Sequence, residues 1–245
     1  MAAREPGRAR APGRARAPGT RLPRAARRAQ ILEAAQDVFV HKGYHGSGME
    51  DIAERAGVSK PVLYQHFPGK LELYLALVDK HTEALVEMVE LALHSTDDHK
   101  QRTYATIATY FDFVAREDGA FRLIFESDLR AVTAVQERIL WCERVCTDAI
   151  ARQIVADAGL PLEVARLVAF GLTGMAEVAA RTWLREGALL PKEVAARIVG
   201  RLAWLGVGQI PAAALRSTST IGALVPAGPR PAGIVDTPAR VGAQQ

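Results

Sequence analysis

Apolar positions along the chain recur at helical spacing, and no stretch shows the strict alternation of a half-buried strand. In Arg24–Val40, the residues Ile31, Leu32, Ala35, Val38 and Phe39 fall on one stripe. Punctuation divides the remainder. Short helices are expected over roughly Met49–Ala56 and Lys60–Phe67, and a long one over Lys70–Leu93. After a polar break at Ser95–His99 come Gln101–Arg116, Ala120–Phe125, Val132–Ala158, Leu162–Glu186 and Lys192–Gly208. Proline is tolerated in a helix's first turn, so Pro161 and Pro191 mark places where a helix restarts. The expected fold is all-α with about nine helices: a three-helix helix-turn-helix domain over 24–70, then a helical domain over 71–210.

Composition narrows this picture. The chain has 245 residues and is 49% hydrophobic, enough for a buried core, which excludes disorder along its whole length. Two cysteines are too few for a disulfide scaffold. No apolar run reaches the ~18–20 residues of a membrane span. The longest candidate, Leu167–Ala180, is broken by Glu177, Gly171 and Gly174. The first thirty residues hold no hydrophobic stretch of the secretory kind, so a cytoplasmic protein without membrane attachment is expected.

Charge is unevenly placed. Residues 1–30 carry nine Arg and one Glu, a net of +8, which leaves −4 for the rest of a chain whose total is +4. The basic start is repetitive, with Pro6-Gly-Arg-Ala-Arg-Ala11 recurring as Pro12-Gly-Arg-Ala-Arg-Ala17. Its Pro-Gly steps break helices and nothing apolar is available to bury, so 1–23 is expected to be a disordered basic arm. The proline-rich segment 211–245 is expected to be a disordered tail. Such an asymmetry points to an anionic partner such as nucleic acid. Residues 31–70, by contrast, hold four Lys or Arg against five acids.

The informative stretch is GYHGSGMEDIAERAGVSKPVLYQHFPGK, Gly43 to Lys70. Ser47 and Glu50 match a capping box that would open a helix of about two turns. Gly57 would end that helix in a left-handed residue, Ser59 would cap the next, and Pro61 sits in its first turn. Two short helices joined by a Gly-containing turn read as a helix-turn-helix. The exposed face of the second helix carries Ser59, Lys60, Tyr64, Gln65 and His66, groups that suit phosphates and base edges. Lys70, opening the following helix, would hold a phosphate with the N-terminal amides. With Ser47 and Pro61, these residues form the candidate DNA-binding set, and the expected partner is a double-stranded DNA operator.

The run Ile31–Leu77 resembles the DNA-binding domain of the TetR family of bacterial regulators, through GY at 43–44, DIAERAGVSKPVLYQHF at 51–67 and the K-x-x-L at Lys70–Leu73. The wider pattern, including YFDFV (110–114) and FRLIFESDL (121–129), resembles actinobacterial fatty-acid-synthesis regulators of the FasR type. The resemblance implies a homodimeric regulator of fatty-acid-synthesis genes, an activator released from DNA by long-chain acyl-CoA. The alternative is a repressor of an efflux or catabolic gene answering another lipophilic effector. From a different class, a helical ligand-binding protein or enzyme could use its basic arm alone to reach nucleic acid.

Within 71–210, the small residues Ala165, Ala169, Gly171, Gly174, Ala176, Ala179 and Ala180 suit close helix approach. With Lys192–Gly208 they suggest a four-helix dimer interface. A small lipophilic effector would draw on apolar stripes: Leu85, Val89 and Leu93; Tyr110 and Phe111; Phe125; Trp141 and Ile150. These are equally what a helical core needs. Cations for a head group are offered by Arg102, Arg122 and Arg130. Cys142 and Cys146, one helical turn apart, are expected to be buried thiols, since a helix seldom lets such a pair bond. The six His form no zinc spacing, and no nucleophile elbow or phosphate-binding loop occurs, so neither an enzyme nor a cofactor is expected.

Overall fold

The structure, a computed structural model, describes residues 22–116 and 118–207. The expected arm and tail lie largely outside the described residues. Those described form nine α-helices and no strand: α1 Arg24–Lys42, α2 Met49–Arg55, α3 Lys60–His66, α4 Lys70–Leu93, α5 His99–Val114, α6 Ala120–Phe125, α7 Thr133–Ala158, α8 Leu162–Arg185 and α9 Lys192–Val207. They divide into two compact units, one ending at Leu73 and the other beginning at Tyr74.

In the first unit, Ile31, Ala35 and Phe39 on α1 bury against Ile52 and Ala53 on α2 and Leu63 on α3. Neither α2 nor α3, seven residues each, has the length to be stable alone; their helicity is held by this packing. Polar ties reinforce it. Gln30 donates from Nε2 to the Ala56 carbonyl (2.8 Å), and the Arg28 guanidinium lies 4.2 Å above the Phe67 ring.

The second unit is built on α5, which packs on α8 and α9, while α7 packs on α8. From α4, Val78, Leu85 and Val89 enter its core, and Tyr74 exchanges a 2.8 Å hydrogen bond with Ser127. Helix α5 starts at His99, earlier than the polar break suggests, because the Asp98 carboxylate accepts from the Gln101 N–H (2.9 Å). Cys142 and Cys146 are buried, unbonded thiols on α7, as expected. Contact with the neighbouring Cys146, then burial, pushes the Cys142 thiol pKa far up, so no reactive thiolate forms there.

The small residues of α8 separate into two sets. Ala165, Ala169, Ala176 and Ala180 are fully buried within this chain, whereas Gly171 and Gly174 face outward with open space beyond them. Beside those glycines stand Leu167, Phe170 and Val178, joined on α9 by Ile198, Leu202 and Leu205, all more than half exposed.

Candidate nucleic-acid interface and ligand cavity

The turn between α2 and α3 is closed by Gly57 at φ +62°. The Gly57 N–H donates to the Glu54 carbonyl and the Val58 N–H to the Ala53 carbonyl, both at 3.0 Å. That pair of bonds satisfies the last carbonyls of α2 and redirects the chain into α3. Leu63 and Phe67 anchor the underside of α3, which leaves Lys60, Pro61, Tyr64 and Gln65 exposed and His66 half-buried. Ser59 stands exposed at the N-cap.

Two capping expectations need correction. The box opening α2 is not Ser47 with Glu50. The N-cap is Gly48, whose N–H donates to Asp51 Oδ2 (2.8 Å). Ser47 is buried and its hydroxyl donates to the Gly43 carbonyl (2.5 Å), so it serves the loop behind α2 and not the exposed face. Glu50 is instead exposed and pairs with Lys60. Ser59 does sit at the N-cap of α3, with Pro61 in the first turn, but its hydroxyl makes no capping bond.

Lys70 is occupied. Its Nζ donates to the carbonyls of Tyr44 (2.9 Å) and Ser47 (2.8 Å) and lies 4.3 Å over the Tyr44 ring. It therefore clamps the α1–α2 loop, and the structure does not bring it onto the exposed edge of α3. Other charges of this unit are paired as well: Lys42 with Asp51 (2.9 Å) and Arg55 with Asp37 (2.6 Å). The bonds from Lys42 and the Gly48 amide hold the Asp51 carboxyl below its ordinary pKa. The Lys60–Glu50 pair is between exposed groups, worth about 0–1 kcal/mol, and a phosphate can replace Glu50 at small cost. The sequence reading missed Arg24 and Arg27 as part of this face: with Leu22 they border one groove with Ser59, Gln65 and His66. The signal was present as the basic start of α1, a helix that the sequence reading used only for its apolar stripe.

In the second unit, a cavity of about 230 Å³ lies among α4, α5, α7, α8 and α9. Of the apolar candidates, it brings together Leu93, Tyr110 and Ile150. Leu85, Val89, Phe111 and Phe125 are buried but do not line it; Phe111 packs on Trp183 and Phe125 on Phe113. Trp141 is on the surface, 37% exposed. One end of the cavity is polar. Arg102, suggested by the sequence as a head-group cation, pairs there with Asp157 at 2.6 Å, and Gln153 donates to the same carboxylate at 2.7 Å. Neither Arg122 nor Arg130 lines the cavity. Residues the sequence reading did not single out include Thr106, Asp157, Leu172, Thr173 and Trp204. Polar residues on separate helices leave no periodic trace. Among the described residues no group of His, Cys, Asp or Glu could hold a metal ion, and no helix is long and apolar enough to cross a membrane.

Residues 31–77 match the family described as bacterial regulatory proteins, tetR family. Over 191 residues the chain is 44% identical to the HTH-type transcriptional activator FasR of Mycolicibacterium smegmatis, covering 78% of this chain and 87% of that one. A TetR-like transcriptional regulator from Rhodococcus sp. RHA1 is similar in structure, with TM-score 0.63, 26% identity, and 78% and 100% of the two chains covered. The transcriptional regulator FadR from Bacillus subtilis, solved in complex with stearoyl-CoA, shares the fold at TM-score 0.59 and 21% identity over 71% of this chain and 96% of that one.

Proposed function

The chain belongs to the TetR family of bacterial regulatory proteins, and on that premise we propose that it is a homodimeric, ligand-responsive transcriptional activator of fatty-acid-synthesis genes, released from its operator by long-chain acyl-CoA. The observation that carries the DNA-binding part is the exposed edge of α3. Lys60, Tyr64 and Gln65 point outward from a helix held at its base by Leu63 and Phe67, at the far side of a left-handed glycine turn. That is the presentation a major-groove reader requires. Arg24 and Arg27 add phosphate partners beside it.

Two half-sites are read when two copies associate. The outward face of α8 and α9, with Phe170, Leu202 and the open glycines 171 and 174, is the surface that suits a second copy. In a dimer the two α3 helices would meet grooves ~34–36 Å apart on a near-palindromic site. The effector part is supported by the likeness to an activator of this type and by the mostly apolar cavity with a polar end. Helix α4 starts in the first unit and continues in the second. An effector that prefers the arrangement of α4 fitting DNA poorly lowers operator affinity by its difference in affinity for the two states.

The test is operator binding by the full chain, with and without stearoyl-CoA, for the native protein and for Lys60→Ala and Tyr64→Ala. Each substitution should weaken specific binding by about 1–3 kcal/mol. Stearoyl-CoA should release the native protein. Sequence-specific binding undiminished in both variants would reject α3 as the reader; operator binding unmoved by acyl-CoA would reject the effector.

A further inference from the structure

The cavity of the second unit is a channel with two unlike ends. Along α5 it is lined by His99, Arg102, Thr106 and Tyr110, a stripe of eleven residues' rise, or about 16 Å. At the His99 end the side chain is half exposed and Ala158 is on the surface, so this is the mouth. At the Tyr110 end the phenol is only 2% exposed, so this end is closed. Between them the walls are apolar, among them Ile107, Ile154, Leu172 and Trp204.

Four hydroxyls line the channel, and three are spent on their own helices. Thr103 donates to the His99 carbonyl (2.9 Å), Thr106 to the Arg102 carbonyl (2.9 Å) and Thr173 to the Ala169 carbonyl (2.7 Å). The fourth, Tyr110 Oη, is buried and has no hydrogen-bond partner among the described residues. The Thr173 hydroxyl lies beside the phenol and its effect there opposes that of burial, but the contact falls outside hydrogen-bond geometry and the Thr173 proton is committed to the Ala169 carbonyl. Burial keeps the phenol protonated well above its ordinary pKa, so it is a neutral donor. A buried donor without a partner is costly, and buried polar groups are almost always satisfied. The mouth, by contrast, is internally balanced, since Asp157 takes both Arg102 and Gln153.

We propose that the effector of this channel is an acyl chain bearing an acceptor oxygen far below its head group, a hydroxy- or oxo-acyl chain whose oxygen takes the hydrogen bond of Tyr110. The proposal rests on the acyl-effector reading and adds its specificity. Tyr110 is the specificity-determining residue; a chain of methylenes alone fills the walls but leaves the phenol unpaired. A site built to hydrogen-bond an oxygen discriminates against the analogue lacking it more strongly than an apolar wall discriminates by size.

The experiment compares stearoyl-CoA with a mid-chain hydroxystearoyl-CoA, in calorimetric binding and operator release, on the full native chain and on Tyr110→Phe. That substitution removes one oxygen without a partner, so the variant should fold with unchanged or higher stability, checked by thermal melting. The native protein is expected to bind the hydroxylated chain on the order of ten-fold more tightly. Tyr110→Phe should abolish that preference and bind stearoyl-CoA at least as well as the native protein does. Equal binding of both chains by the native protein would overturn the proposal, as would a preference that survives Tyr110→Phe. In either case release by stearoyl-CoA would leave the acyl-effector reading standing. If neither compound binds the native protein, that reading fails and this one with it.

Discussion

Replacing Lys70 by Met separates two jobs that one cation at the head of α4 could do. The methionine keeps the aliphatic stem and removes the ammonium. Lost with it are the bonds to the Tyr44 and Ser47 carbonyls, at 2.9 and 2.8 Å, and the cation lying over the Tyr44 ring. A fully buried charged hydrogen bond contributes about 1.5–3 kcal/mol. Lys70 is half-buried, so water screens and partly replaces both bonds, and the expected total is about 2 kcal/mol. The urea midpoint of the full chain should fall accordingly with the m-value unchanged. Operator binding measured from low to moderate salt gives the second readout. A lysine that neutralises a phosphate contributes about one to the slope of log K against log salt, and a lysine that only clamps a loop contributes nothing. The structure predicts lower stability and an unchanged slope. Unchanged stability with a slope reduced by about one would refute the clamp and return Lys70 to the phosphate contacts its sequence position suggests.

Gly57→Ala should destabilise the protein by about 1–2 kcal/mol in urea unfolding, because φ is +62° while an added Cβ meets nothing within 4 Å; no loss would show that the turn relaxes. His81 is fully buried on α4, and burial, followed by the charge of Lys80, lowers its pKa from 6.5 to about 4, with Arg116 opposing protonation and Asp118 favouring it. Its folded pKa is depressed, so its contribution is complete above about pH 6.5 and is lost as pH falls toward 4. That loss is about 3 kcal/mol, and His81→Leu should flatten this part of the stability profile. Phe170→Glu combined with Leu202→Glu should yield a folded monomer with weakened operator binding; a dimer persisting in sedimentation would place the interface elsewhere. Removing residues 1–20, which carry five Arg and one Glu, should lower the salt dependence of DNA binding while leaving the ratio of operator to random-sequence affinity intact.

The helices were legible because their ends carry residues with single physical purposes. Gly57 and Gly159 both adopt the left-handed conformation that closes a helix, and Pro61 lies inside the first turn of α3. Caps chosen among neighbouring candidates were not legible. Ser47 with Glu50 and Gly48 with Asp51 both fit the three-residue spacing. The chain adopts the second because Ser47 is needed inside, where its hydroxyl binds the Gly43 carbonyl. Lys70 shows the same limit. Its partners are carbonyls 23 and 26 residues upstream, which no local pattern reveals. The ligand cavity was the least legible part. Apolar stripes announce that residues are buried, but a cavity exists only where facing side chains fail to meet. So Leu85 and Phe111 disappear into packing while Leu93 and Ile150 border open space.

Charge and reading are separated within the first unit. A reader with several cations already paired to Asp37, Glu50 and Asp51 gains little net attraction for DNA from its own surface. On the proposed reading the same acids would make the face discriminating, since a phosphate would have to displace Glu50 before Lys60 could engage and a misplaced backbone would meet carboxylates. Attraction must then come from elsewhere. Arg24 and Arg27 stand at the start of α1, beside Gln65 and His66, and seven further Arg precede them in sequence or follow at position 28. Arg24 and Arg27, where the basic segment enters α1, therefore border the same groove as the exposed edge of α3. On the proposed reading, the charge of that segment supplies attraction to DNA while the near-neutral face of α3 chooses the site.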